Sequence, residues 1–190
     1  MNIPVDISNV VLTTARLTLR PFRLSDLDDF FEYASVDGVG QMAGWAPHEN
    51  KMKTLDILNK FINEKKTFAI VKDGKVIGSL GIEKYNEQKY NLPEIANKKA
   101  REIGYALSKA YWGQGLMPEA VKEVIRYCFE DLGCDLLFCG HFVWNKQSAR
   151  VQEKCGFHYY SSGKYETRMG TIEDDIVNIL TKEEWQQLQK

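Results

Sequence analysis

The chain has 190 residues, 44% hydrophobic and 27% charged, with a formal net charge of −1, the balance of one globular domain with a substantial core. No block of lysine and arginine makes an electrostatic case for nucleic acid, and no apolar run approaches the roughly eighteen residues of a membrane span. The opening Met1-Asn2-Ile3-Pro4-Val5-Asp6 lacks the basic-then-apolar pattern of a signal peptide, so a cytoplasmic protein is expected.

Residues 10–23 alternate, with Leu17 and Leu19 against Thr18 and Arg20, as in a half-buried strand. Ser25 is placed to cap a helix, with Asp26, Asp28 and Asp29 complementing its dipole. Leu27, Phe30, Phe31 and Ala34 form its buried stripe, and Asp37-Gly38-Val39-Gly40 ends it. The stretch from Gln41 to His48 is aromatic and non-periodic, a loop that lines a site or covers the core edge. A second helix is predicted near 51–65, with Leu55, Leu58 and Ile62 on one face. Thr67–Lys72 and Lys75–Lys84 are β-rich runs joined at Asp73-Gly74, a two-residue hairpin signal. Residues 86–99 are polar, and a loop of that length between strands is mobile or functional. Ala100–Leu107 reads as the next strand.

Then comes Tyr111-Trp112-Gly113-Gln114-Gly115-Leu116-Met117-Pro118-Glu119-Ala120. Two glycines one residue apart allow positive φ and close approach of a ligand, and Pro118 suits a first helical turn. Val121, Val124, Ile125, Cys128, Phe129 and Leu132 continue as one helix face. A glycine-rich loop feeding a helix presents free N–H groups and the positive dipole end to phosphate; an ordinary turn before a core helix is the competing reading. The pattern is neither a P-loop nor a dinucleotide fingerprint, since Pro118 stands where the third glycine belongs.

Asp135–Val143 is apolar and uninterrupted, like a strand buried on both faces. Asn145 can cap a helix running to about Lys154 and closed by Gly156. Strands are predicted near 157–166 and 172–180, and Thr181-Lys182-Glu183-Glu184 is a capping box for a last short helix. Cys128, Cys134, Cys139 and Cys155 contain no Cys-x-x-Cys pair and are expected as reduced core thiols. Cys139 and His141 share a strand face, but with only His48 and His158 besides, the spacing fits no zinc pattern and no metal is expected. The order β-α-α-β-β-β-α-β-α-β-β predicts an α/β (α+β) fold. It is a single domain over 1–190, with a mixed, mostly antiparallel sheet of about seven strands flanked by about four helices.

Three stretches in this order resemble the GNAT acyl-CoA N-acyltransferases, and most nearly the RimJ/RimL type that acetylates ribosomal-protein N-termini. They are Leu12-Thr13-Thr14-Ala15-Arg16-Leu17-Thr18-Leu19-Arg20; Glu102-Ile103-Gly104-Tyr105-Ala106-Leu107 running on to Trp112-Gly113-Gln114-Gly115-Leu116-Met117; and Asn145-Lys146-Gln147-Ser148 continuing to Glu153-Lys154-Cys155-Gly156-Phe157. The resemblance covers about residues 12–180. It departs at Trp112 and Met117, where the family's glycine pattern begins with Gln or Arg and ends in Gly or Ala.

The resemblance implies acetyl-CoA as cosubstrate, with its pyrophosphate on the backbone N–H groups of Trp112, Gly113, Gln114, Gly115, Leu116 and Met117. It implies oxyanion donors near Ala106 and Leu107, Glu102 as catalytic base, and Asn145 against the pantetheine arm. Glu102 also reads as a strand carboxylate paired with Arg101 or a lysine, and Asn145 as a helix cap alone. Many members use a tyrosine as general acid where this chain has Gln152; in the RimL-type pattern a serine serves, and Ser148 matches. Tyr165 and Glu166 lie near the position of a RimL-type base. Trp45 and His48 are candidates for the acceptor side. The expected activity is acetyl transfer to a primary amine, a protein N-terminus or a small molecule, by direct attack in a ternary complex. The alternative is a catalytically silent acyl-CoA-binding or sensory module. The last strands are candidates for pairing across a homodimer.

Overall fold

A computed structural model describes residues 1–90 and 93–190; the two remaining residues of the 86–99 loop lie outside the described residues. Eight strands form one open sheet in the order β1-β2-β3-β4-β5-β6-β8-β7. They are β1 Leu12–Thr13, β2 Thr18–Pro21, β3 Thr67–Lys72, β4 Lys75–Glu83, β5 Ala100–Leu107, β6 Leu136–Phe142, β7 His158–Glu166 and β8 Ile172–Thr181. Every neighbouring pair is antiparallel except β5 and β6. The helices are α1 Leu27–Ala34, α2 Lys51–Glu64, α3 Leu116–Glu130, α4 Lys146–Lys154 and α5 Lys182–Leu188. None of them is long and apolar enough to cross a membrane.

The mixed sheet agrees with expectation, with one strand more. The run 10–23 splits because the Thr14 N–H bonds the Leu17 carbonyl at 2.9 Å. That turn folds Leu12 back opposite Leu19. Ser25 does not cap α1. A 3-10 turn over Leu24–Asp26 precedes the helix; Asp26 stands at the N-cap position without a side-chain cap bond, and its carboxylate accepts the Arg23 N–H at 2.8 Å and a bidentate pair from Arg20. Asp73 and Gly74 both take positive φ in the β3–β4 hairpin, and Thr181 and Glu184 close their capping box.

Side chains alternate across the sheet, so each strand serves two layers. On one face Leu80, Ile82, Ile103, Leu137 and Leu180 pack with Val121, Val124, Ile125 and Phe129 of α3. On the other, Phe30 and Tyr33 of α1 and Leu58 of α2 cover Ala69 and Val76. Further along that face, Tyr85, Tyr90 and Ile95 of the 86–99 region and its approach cover Phe138, Val177 and Ile179. Strand β6 is buried on both faces, as its apolar run requires.

The parallel ladder is short. It pairs Ala100–Ile103 with Leu136–Cys139 and then stops, so β5 and β6 part beyond Ile103 and Cys139 in the middle of the sheet.

Candidate active site

A cavity of about 930 Å³ fills the parting between the strands and is lined by Gly104–Leu107 of β5 and Gly140–Phe142 of β6. The Ser108 N–H bonds the Ile77 carbonyl at 2.7 Å. Alternation in an antiparallel ladder then turns the N–H groups of Gly104 and Ala106 towards β4 and those of Tyr105 and Leu107 towards the opening. Of the two expected oxyanion donors, Leu107 therefore faces the cavity through its N–H. Ala106 contributes its side of the wall, with its N–H in the ladder. The Leu107 carbonyl is taken up by the Trp112 indole N–H at 2.9 Å.

The glycine stretch sits at one end of this cavity, and Trp112, Gly113, Gly115, Leu116 and Met117 line it. Gly113 and Gly115 hold φ of +74° and +73°, and Gly115 is the N-cap of α3. Of the six expected donors, Trp112 drops out because its N–H bonds the Lys109 carbonyl at 3.2 Å, while the N–H groups of residues 113 to 117 donate to no acceptor among the described residues, which leaves five consecutive donors at a helix N-terminus. Gln114 is outside the lining; its carbonyl accepts from Arg16 at 2.9 Å. Arg16 also pairs with Glu119 in the first turn of α3 at 2.7 Å, and Thr14 donates to the same carboxylate at 2.6 Å. The turn between β1 and β2 thus braces the loop.

Asn145 is both cap and wall. Its Oδ1 accepts the Ser148 N–H at 3.1 Å and its Nδ2 donates to the Met42 carbonyl at 3.1 Å, while it lines the cavity beside Ser148. Ser148 Oγ lies 2.8 Å from the Tyr105 hydroxyl and 3.2 Å from Gln152 Nε2. Gln152 is fully buried and holds Gly140 O, Asn178 Nδ2 and His141 Nδ1 as well. A phenol at 152 would displace that network.

Glu102 projects from the sheet face opposite Tyr105. Burial pushes its carboxyl up to about 7, with Lys89 opposing and the carboxylates of Glu83 and Asp175 adding to the rise. It forms no ion pair with Arg101 or with any lysine among the described residues, which removes the strand-pair explanation. Lys89 instead pairs with Asp175 at 3.1 Å. All four of these charged side chains line the cavity.

The second-rank candidates divide. Trp45 and Tyr165 are on the cavity wall. His48 is not: it is buried between Phe30 and Trp45, bonds Thr54 Oγ1 at 2.8 Å, and burial lowers its pKa. Glu166 is exposed at the end of β7, opposite Ile172 and away from the wall. Among the described residues no group of three or more His, Cys, Asp or Glu is placed to hold a metal. Sequence reasoning missed Arg16 and Glu119, Tyr105 as a partner of Ser148, and the Lys89–Asp175 pair. Their signals lie in long-range contacts that no local pattern carries.

Residues 16–158 match the family described as Acetyltransferase (GNAT) domain. FsC-acetyl coenzyme A-N(2)-transacetylase of Aspergillus fumigatus is 35% identical over 107 residues, 52% of this chain and 46% of that protein, so the match spans about half of that relative's length. The uncharacterized N-acetyltransferase p20 of Bacillus licheniformis is 28% identical over 183 residues, 92% of this chain and 97% of the relative. Mycobacterium smegmatis RimJ, solved with CoA-disulfide, shares the fold with a TM-score of 0.73 at 19% identity, over 93% of this chain and 89% of that one.

Proposed function

The chain belongs to the GNAT acetyltransferase family, and on that footing we propose that it moves acetyl from acetyl-CoA to a primary amine by direct attack in a ternary complex. The observation that supports this most is one cavity lined both by Gly113, Gly115, Leu116 and Met117, four residues with unclaimed N–H donors at a helix start, and by an unpaired, neutral-range carboxyl, Glu102. The acceptor is a peptide N-terminus or a small-molecule amine; Glu83, Glu102 and Asp175 line the cavity, with Lys89 among them.

The residues divide the work. The N–H groups of Gly113–Met117 and the α3 dipole hold the pyrophosphate of the donor. Asn145 borders the pantetheine arm. The N–H groups of Leu107 and Tyr105 face the oxyanion of the tetrahedral intermediate, and losing one such donor costs about 3 kcal/mol of transition-state stabilisation. An alkylammonium has a pKa of about 10, so a base must take its proton, and Glu102 does so with a pKa suited to neutral pH. Ser148 gives a proton to the departing thiolate.

A half-buried carboxyl that forms no ion pair and is held near neutral pH supports the enzyme reading over a silent acyl-CoA-binding module. Calorimetric titration with acetyl-CoA, CoA, ATP and NAD, followed by thiol release with peptide and small-molecule amines, tests the reading. Selective binding of the CoA species with amine-dependent thiol release is the expected result. Binding without release under any acceptor favours the silent module, and no CoA binding discards both.

A further inference from the structure

We propose that Tyr105 is the proton source behind Ser148, so that a two-hydroxyl relay from β5 to α4 protonates the leaving thiolate. The inference rests on the acetyl-transfer reading above. The Tyr105 hydroxyl reaches Ser148 Oγ at 2.8 Å, from a strand rather than from helix α4, and both residues line the cavity.

The partners around Gln152 leave this direction of supply open to Ser148, although the Tyr105 hydroxyl also lies 3.4 Å from the Ser148 carbonyl. The Gly140 carbonyl can only accept, so the Gln152 atom 2.9 Å from it is Nε2. The second Nε2 hydrogen goes to Ser148 Oγ at 3.2 Å. Gln152 Oε1 is occupied by Asn178 Nδ2 at 2.7 Å and by His141 Nδ1 at 3.0 Å. Gln152 therefore offers Ser148 a donor and no acceptor. With Tyr105 donating to Ser148 Oγ too, both oxygen lone pairs are taken and the serine hydrogen is free to point into the cavity.

The energetics need the phenol. An aliphatic hydroxyl is about as weak an acid as water, far weaker than the thiol to be formed, whose pKa is about 8.5. Ser148 alone would be left as an alkoxide far too basic to persist. A phenol, ordinarily of pKa about 10 and raised above that here by burial, remains a stronger acid than the serine hydroxyl it resupplies. Burial raises the Tyr105 phenol, which keeps it protonated at working pH, and a thiolate in the same cavity is desolvated as well.

The step balances. The ammonium gives its first proton to Glu102, which passes it to solvent; as the N–C bond forms and the C–S bond breaks, the second amine proton passes to Glu102. Sulfur takes the Ser148 proton, Ser148 takes that of Tyr105, and exchange with solvent returns the proton from Glu102 to the tyrosinate as products leave. Tyr105 acts here as a positioning residue, through Ser148.

The test compares Tyr105→Phe, Ser148→Ala and the double variant, with wild-type turnover measured first as the separate check on the transferase reading. The expected result is a kcat loss of at least about tenfold in each single variant, in the range of general acid catalysis, with KM for acetyl-CoA within about twofold. The double variant falls no further than the worse single one, as residues acting as a unit do. Difluorotyrosine at 105, a stronger acid, moves the alkaline limb of the kcat profile to lower pH. Unchanged kcat in Tyr105→Phe, multiplicative losses, or a loss confined to KM would each overturn the relay. CoA affinity against pH gives a readout without an acceptor. The wild type gains affinity as the thiol ionises and Tyr105→Phe gains less, whereas identical profiles count against the proposal.

Discussion

Glu102 and Gly140 face each other across the parting strands, with Glu102 Oε1 3.6 Å from the point that a Cβ at residue 140 would occupy. That spacing is ordinary van der Waals contact, so a small side chain fits and a large one lies over the carboxylate. Gly140→Leu should raise the acceptor KM by about tenfold, the loss of roughly 1.4 kcal/mol of binding, while acetyl-CoA affinity stays within about twofold. Steady-state kinetics with calorimetry checks this. A fall in acetyl-CoA affinity alone would place the Gly140 trough on the donor side.

The raised carboxyl of Glu102 carries two pH signatures. In kcat, an acid limb near pH 7 is expected for the wild type, and it disappears with activity in Glu102→Gln. In stability the sign is set by proton uptake on folding. The folded group, at about 7, holds its proton where the unfolded one, near 4.5, has released it. Its contribution is thus fully present below about pH 4.5 and is lost as pH rises through 7. Glu102→Gln removes that loss and should be more stable than wild type at pH 8, by an amount on the order of 3 kcal/mol at most, with the gap closing near pH 5. Urea unfolding at both pH values measures it; equal stabilities at pH 8 would mean that the carboxyl titrates normally.

Two glycines separate backbone strain from ligand binding. Gly113 and Gly133 have φ of +74° and +72°, and a Cβ on either meets nothing within 4 Å. Alanine at each should cost about 1–2 kcal/mol of stability, the left-handed penalty. Only Gly113→Ala should also weaken acetyl-CoA, by about tenfold or more. Gly115→Trp should abolish that binding outright, and normal affinity in this variant would refute the phosphate cradle.

Gln152→Leu strips four partners, Gly140 O, Ser148 Oγ, Asn178 Nδ2 and His141 Nδ1, from a fully buried site. Unpaired buried polar groups make this a loss of about 2–4 kcal/mol, readable as a lower urea midpoint. Glu153→Ala, one residue on and exposed, should leave that midpoint nearly unchanged.

Much of the fold was legible because its signals are local. The Asp73-Gly74 turn needs two positive φ values, which that pair supplies. The Thr181–Glu184 box closes within one helical turn. Where local turns decided, the reading slipped: a 3-10 turn over Leu24–Asp26 moved the helix start past Ser25, and the Thr14–Leu17 turn cut one strand into two. Gly113, Gly115 and Ser148, picked out by their motif, and Glu102, picked out by its place before the loop, all line one cavity. Trp45 reached the cavity wall while His48, three residues on, went into the core, since a short aromatic loop carries no period to say which side chain turns inward.

By itself the sequence determined what can be settled within a few residues: strand and helix periods, caps, the positive φ of Gly113 and Gly115, and the chemistry available to the site. Only the tertiary structure decided how that chemistry is poised. Tyr105 meets Ser148 across 43 residues and Arg16 meets Glu119 across 103. Glu102 escapes an ion pair because Lys89 goes to Asp175 and Arg101 projects from the other face. The donors of β5 face a cavity only because its parallel ladder ends at Ile103. Protonation and hydrogen-bond direction follow from burial and from which partners arrive, and both are set by contacts between segments far apart in the chain.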